Sequence, residues 1–160
     1  MVVAALTTAL VGPAAAREDL AIVAHAEWTG LERISLPVLR QLYLGQRTRL
    51  AGSRVFCLDL RSGSRPREAF TQTVVGRDSR SLDRYWLRQA LTGGPPPPRE
   101  LGSAAEVLAW VAHEPGTLGY VAWRELAAGV PSGVRVLPID VWDRTLHPGE
   151  SGYPVFVPTP

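Results

Sequence analysis

At 160 residues the chain has the size of one domain and enough length to bury a real core. Hydrophobic residues make up 46% and charged residues 20%, an ordinary globular balance, and a net charge of only +2 argues against nucleic acid or an acidic membrane surface as partner. All 17 basic residues are arginine, whose planar fork of donors suits phosphate and carboxylate; most are read as compositional bias, and function attaches only to those beside a backbone anion site.

Residues 1–16 read as a signal peptide. Met1 to Val11 is apolar or small, Gly12-Pro13 breaks the run, and Ala14-Ala15-Ala16 offers a cleavage site before Arg17. The basic n-region is absent, and a buried first helix is the alternative. The apolar run is too short to span a bilayer, which takes roughly 20 residues. The expected location is therefore periplasmic or otherwise exported.

An α/β domain is expected over residues 17–137. Leu20 to Ala24 reads as a buried strand. Trp28-Thr29-Gly30 opens a loop, Ser35 caps a helix with Pro37 in its first turn, and Gly45 ends it. Gln46 to Arg54 is rich in turn residues, and Val55 to Leu60 is the second strand. A helix opens at Ser64-Arg65-Pro66 and stops at Gly76; Ser81 caps another, with Leu82, Tyr85, Trp86 and Leu87 as candidate core. Pro95 to Pro98 form a stiff connection. Ser103 and Glu106 make a capping box ahead of the apolar stripe Val107, Leu108, Val111 and Ala112. Leu118 to Val121 and Val134 to Leu137 are strands, with a short helix from Trp123 to Ala128 between them. Strands alternating with helices predict a mainly parallel sheet flanked by helices. Residues 138–160 form a Pro- and Gly-rich tail without a clear period, which either wraps the domain or is loosely ordered.

The chemistry concentrates at the strand–turn–helix junction from Asp59 to Phe70. A helix N-terminus presents unpaired N–H groups and partial positive charge, and so binds anions readily. The candidate ligand-binding residues are Arg61, Ser62, Gly63, Ser64, Arg65 and Arg67: a hydroxyl, a glycine that lets the backbone approach a ligand, and up to three forked donors. The competing reading is an ordinary capped helix with solvated arginines. Asp59 and Glu68 are assigned to the turn and to the helix dipole rather than to acid–base work. The single cysteine, Cys57, lies in an apolar run and reads as a buried thiol. His25, His113 and His147 lack metal-ligand spacing. No metal, cofactor or nucleophile set is expected, and the chain is read as a non-enzyme.

Five ordered segments carry a family resemblance: Ser35 to Gly45, the Gly-Ser-x-x-Arg-Glu-Ala-Phe run from Gly63 to Phe70, Tyr85-Trp86, Thr92 to Pro98, and Ser103 to Val121. Together they resemble the short phosphate ABC-transporter substrate-binding-like proteins, of the type 2 periplasmic binding protein superfamily, over roughly Asp19 to Leu137. The resemblance implies a single-lobe periplasmic-binding-protein-like fold. It also implies an oxyanion ligand, phosphate first, at a Gly-Ser-Gly-Thr turn that Gly63 and Ser64 begin. Arg65 and Pro66 stand in place of the Gly-Thr pair that completes it. Full-length members close two lobes on their ligand, so a lone lobe calls for an envelope or membrane protein partner or a second copy of itself. The alternative expectation is a protein–protein interaction module of the envelope that kept the fold without transport.

Overall fold

A computed structural model describes residues 17–158, and the leader expected over residues 1–16 lies outside them. The first strand, β1 (Glu18–His25), is buried along nearly its whole length, as suits a strand covered on both faces. Through β2 (Ile34–Ser35) the chain enters α1 (Leu36–Tyr43). Pro37 sits in the first turn of α1, where its missing N–H costs nothing, and Leu39, Leu42 and Tyr43 turn inward at helical spacing. The turn-rich stretch that follows is a hairpin of β3 (Arg49–Leu50) and β4 (Ser53–Arg54), and β5 (Phe56–Leu60) comes next.

After β5 come α2 (Arg65–Phe70), a π-helical turn over Thr71–Val75, α3 (Ser79–Leu91), β6 (Arg99–Leu101) and α4 (Ala104–His113). The remainder is β7 (Thr117–Ala122), a 3-10 turn at Trp123–Leu126, β8 (Val134–Leu137), β9 (Ile139–Val141), β10 (Arg144–Leu146) and β11 (Phe156–Val157).

The central sheet runs β11-β1-β7-β5-β6, with β8 also on β1. The expected parallel arrangement holds for β5 with β6 and β5 with β7. Those strands are joined by helical crossovers, which parallel pairing requires. β1 enters from the opposite end and is antiparallel to β7, β8 and β11, so the sheet is mixed rather than mainly parallel. Two adjacent residues of β7 show how its faces are filled. A Cβ on Gly119 would lie 2.7 Å from Val107 Cγ1 of α4. Tyr120, pointing the other way, stacks on Phe70 of α2 at 3.8 Å between ring centroids, and Tyr43 of α1 packs beside Phe70 at 4.6 Å.

Several expectations change. α3 begins at Ser79 and its cap is Asp78, whose Oδ1 accepts the Ser81 N–H at 2.8 Å. Ser81 therefore lies inside the first turn; these hydrogen bonds hold the Asp78 carboxyl below its ordinary pKa. Leu87, a candidate core residue, is 62% exposed because α3 buries its Leu82 side instead. The prolines lead into a short strand, β6. Of the two readings of the tail, wrapping holds over residues 138–158: they form β9 to β11 and bury Ile139, Leu146, Tyr153, Val155 and Val157. The Tyr153 hydroxyl donates to the Leu20 carbonyl at 2.9 Å, and the Leu20 N–H donates to the Val155 carbonyl at 2.8 Å. The domain thus runs on past Leu137, because the edge of β1 would otherwise be open.

Candidate functional site

β5, β6 and β7 run parallel, so their carboxyl ends lie at one edge of the sheet. The amino ends of α2 and α4 meet there too. Between them is a cleft of 170 Å³ lined by Leu60, Arg61, Ser64, Pro66, Gly102, Ser103, Ala104, Ala122, Arg124 and Glu125. Helix amino ends carry partial positive charge, and the carboxyl edge of an open α/β sheet is where ligands sit. The capping box is present as expected: Ser103 Oγ accepts the Glu106 N–H at 3.2 Å, and Glu106 Oε2 accepts the Gly102 N–H at 3.1 Å.

The six candidate residues separate into three groups. Arg61 and Ser64 line the cleft. A Cβ built on Gly102 would lie 3.3 Å from an Arg61 guanidinium nitrogen, so the absent side chain leaves Arg61 room there. Ser64 caps α2 without a side-chain hydrogen bond, and its Oγ is buried with no partner in the protein. Ser62 and Gly63 form the exposed turn, and Gly63 adopts φ +81, which favours glycine. Arg65 is exposed and spends one N–H on the Pro158 carbonyl at 2.9 Å.

Arg67 departs from expectation. It is buried and points away from the cleft, with Nε 3.2 Å from Asp59 Oδ2 and Nη1 3.2 Å from Glu100 Oε2. Nη1 also donates to the Leu60 carbonyl at 3.1 Å. Asp59 is correspondingly more than a turn residue. Its Oδ1 accepts the Tyr120 hydroxyl at 2.5 Å and the Leu60 N–H at 2.9 Å. Burial pushes the Asp59 carboxyl above the usual carboxylate range, against the pull of Arg67 and the Tyr120 hydroxyl. Burial and the Asp59 charge push the Tyr120 phenol well above its ordinary value. This network fixes the end of β5 and the start of α2. It shapes the cleft from behind. Glu68 accepts the Ser79 hydroxyl, tying α2 to α3.

Sequence reasoning missed Arg124, Glu125 and the amino end of α4. Arg124 lies 2.7 Å from Glu18 and 3.6 Å from Glu125, so its charge is already met. The Ser103–Glu106 box marked the start of α4, but only the parallel pairing of β5 and β6 brings it to the cleft. His25 sits at the far end of the sheet, where Nδ1 accepts the Glu27 N–H at 3.3 Å.

No protein-family model matches this chain. No curated protein matches it by sequence. Solved structures do match in fold. A putative phosphate ABC transporter substrate-binding protein with bound phosphate from Clostridium perfringens aligns with a TM-score of 0.68 at 15% identity, over 89% of this chain and 54% of its own. The chain has the fold of one lobe of the periplasmic binding proteins. PstS from Borrelia burgdorferi aligns at TM-score 0.68 and 13% identity, over 89% of this chain and 56% of that one. An ABC-type phosphate transport receptor from Vibrio cholerae aligns at 0.65 and 16%, over 89% and 55%. The chain thus spans just over half the length of each of these binding proteins. Among the described residues no helix is long and apolar enough to cross a membrane.

Proposed function

We propose that the cleft binds a tetrahedral oxyanion, phosphate first, and that the chain is an exported binding component rather than an enzyme. The observation that carries this reading is the buried Ser64 Oγ, unpartnered and lining a cleft where two helix amino ends meet. A buried hydroxyl without a partner carries a desolvation cost that an oxyanion acceptor would remove. Arg61 adds an adjacent guanidinium, and the structures that share the fold include a putative phosphate ABC transporter substrate-binding protein with bound phosphate and an ABC-type phosphate transport receptor. The ligand-binding set under this reading is Arg61, Ser62, Gly63 and Ser64, with Arg65 at the rim. Arg67 supports it from the core.

Isothermal titration with phosphate and sulfate tests the reading. Phosphate should give saturable heat below millimolar concentration. Ser64→Ala should weaken it by about tenfold and Arg61→Gln by more, in line with losing a neutral and a charge-assisted hydrogen bond. A folded protein that takes up no heat at millimolar phosphate overturns it.

A second reading has its own observation: Pro66 offers no N–H, Arg65 is engaged with Pro158, and Arg67 is withdrawn. These leave fewer donors than a high-affinity site needs and favour an envelope interaction module. That reading expects a stable complex with an envelope protein, unchanged in the Arg61→Gln variant; recovery of no partner from envelope extract counts against it.

A further inference from the structure

A second concave surface lies at the opposite end of the sheet from the cleft. It is a groove of 420 Å³, where β5 and β7 begin at Phe56 and Thr117. That volume falls in the range of small-molecule sites. The groove is separated from the cleft by the length of β5, roughly 15 Å at strand rise.

Its lining combines two kinds of chemistry. Val55, Phe56, Leu58, Trp110 and the prolines 95–98 give it an apolar surface. Phe56 is 51% exposed, a large apolar side chain left in solvent. One wall is preformed. Proline fixes its own backbone angle, and Pro95 packs so closely on Gly45 that a Cβ there would meet Pro95 Cγ at 2.6 Å. A wall that does not have to be ordered on binding costs its ligand little entropy.

Arg47, Arg54 and Arg99 also line the groove, against one acid, Glu114. Among the described residues none of these three arginines has a carboxylate within ion-pair distance. Two are held over aromatic faces: Arg54 lies 5.3 Å from the Phe56 ring centroid and Arg99 lies 4.1 Å from that of Trp110. A guanidinium held over a ring keeps N–H donors at its edge for an acceptor. The groove therefore offers apolar contact and unmet positive charge together. A small hydrated inorganic anion would leave the apolar lining unused, and a neutral apolar molecule would leave the arginines unused.

We propose that this groove is a second binding site, for a small amphipathic organic anion: a carboxylate, sulfonate or phosphate monoester on an aromatic or alicyclic body. It stands independently of the oxyanion reading of the cleft.

Two fluorescent probes that share one body test it. 8-Anilinonaphthalene-1-sulfonate carries the anionic head, and N-phenyl-1-naphthylamine lacks it. The sulfonate should bind one per chain with enhanced emission, at least about tenfold tighter than the uncharged amine. The Arg54→Gln/Arg99→Gln double variant should bring the sulfonate down to the level of the amine and leave the amine unchanged. Both arginines are exposed, so the variant should keep its far-ultraviolet circular dichroism; Arg47→Gln, with a smaller loss, serves if it does not. Inorganic phosphate at 10-fold excess over the probe should not displace it, since the cleft lies elsewhere. Equal affinity for the two probes would make the groove a merely apolar surface and overturn the proposal. So would sulfonate binding that the double variant leaves intact, displacement by phosphate, or no binding at all.

Discussion

Arg67 shows how one side chain can be chemically suited to a ligand and yet belong to the core. Its guanidinium is held by Asp59, Glu100 and the Leu60 carbonyl, with 8% of the side chain exposed. Losing one member of a buried pair strands the other charge, which costs about 3–5 kcal/mol. Arg67→Met and Asp59→Asn should each lower stability by that order in urea denaturation, and the double variant by clearly less than the sum. Additive losses would show that the two residues act separately. Cys57 gives a pH-dependent case. Burial pushes its thiol from 9.0 up to about 12. At pH 8 its reaction with a disulfide reagent should therefore be about a thousandfold slower than that of an unperturbed thiol, rising tenfold per pH unit toward 12. The folded protein holds this proton more tightly than the unfolded chain. Its contribution to stability is thus complete below 9.0 and lost as pH rises toward 12. The apolar run predicts a buried Cys57; the residue is half-buried, because one side of β5 there faces the groove. The fate of Arg67 was not legible, because it depends on Asp59 and Tyr120, which only the paired strands bring within reach.

At the level of elements, periodicity and capping located what is long enough to have a period. β1, α1, α4 and β7 stand within a few residues of where patterning places them. β2, β3, β4, β6 and β9 to β11 have only two or three residues, too few for alternation to register. At α3 the reading from sequence takes Ser81 as the cap, and the structure caps the helix three residues earlier, at Asp78. The cleft was half visible: the α2 end follows directly from β5, whereas the α4 end arrives through sheet order. Packing between elements has a sharp test at Gly119. An alanine there would push 2.7 Å from Val107 Cγ1, and Val107 is fully buried with nowhere to move. Gly119→Ala should cost about 1–3 kcal/mol by overpacking, lowering the melting temperature by roughly 2–12 °C. An unchanged melting temperature would mean that α4 can back away from the sheet.

For the whole molecule, the segment after Leu137 decides whether there is a closed fold at all. It supplies β11, the Tyr153 hydroxyl and the Val155 carbonyl to β1. A chain ending at Leu137 should lose cooperative thermal unfolding by circular dichroism; a sharp transition in that chain would show that the domain closes without its last strands. The same pairings carry a consequence in time. β1 ends at His25, and its strand partners β7, β8 and β11 begin only at Thr117 or later. At ribosomal rates of about 5–20 residues per second, β1 is synthesised roughly 5–20 s before its first neighbour exists. Throughout that interval the run Leu20-Ala21-Ile22-Val23-Ala24 has no sheet to enter. A nascent chain of this kind leaves its first strand unpaired until β7 has been made, and depends on whatever shields that strand in the meantime.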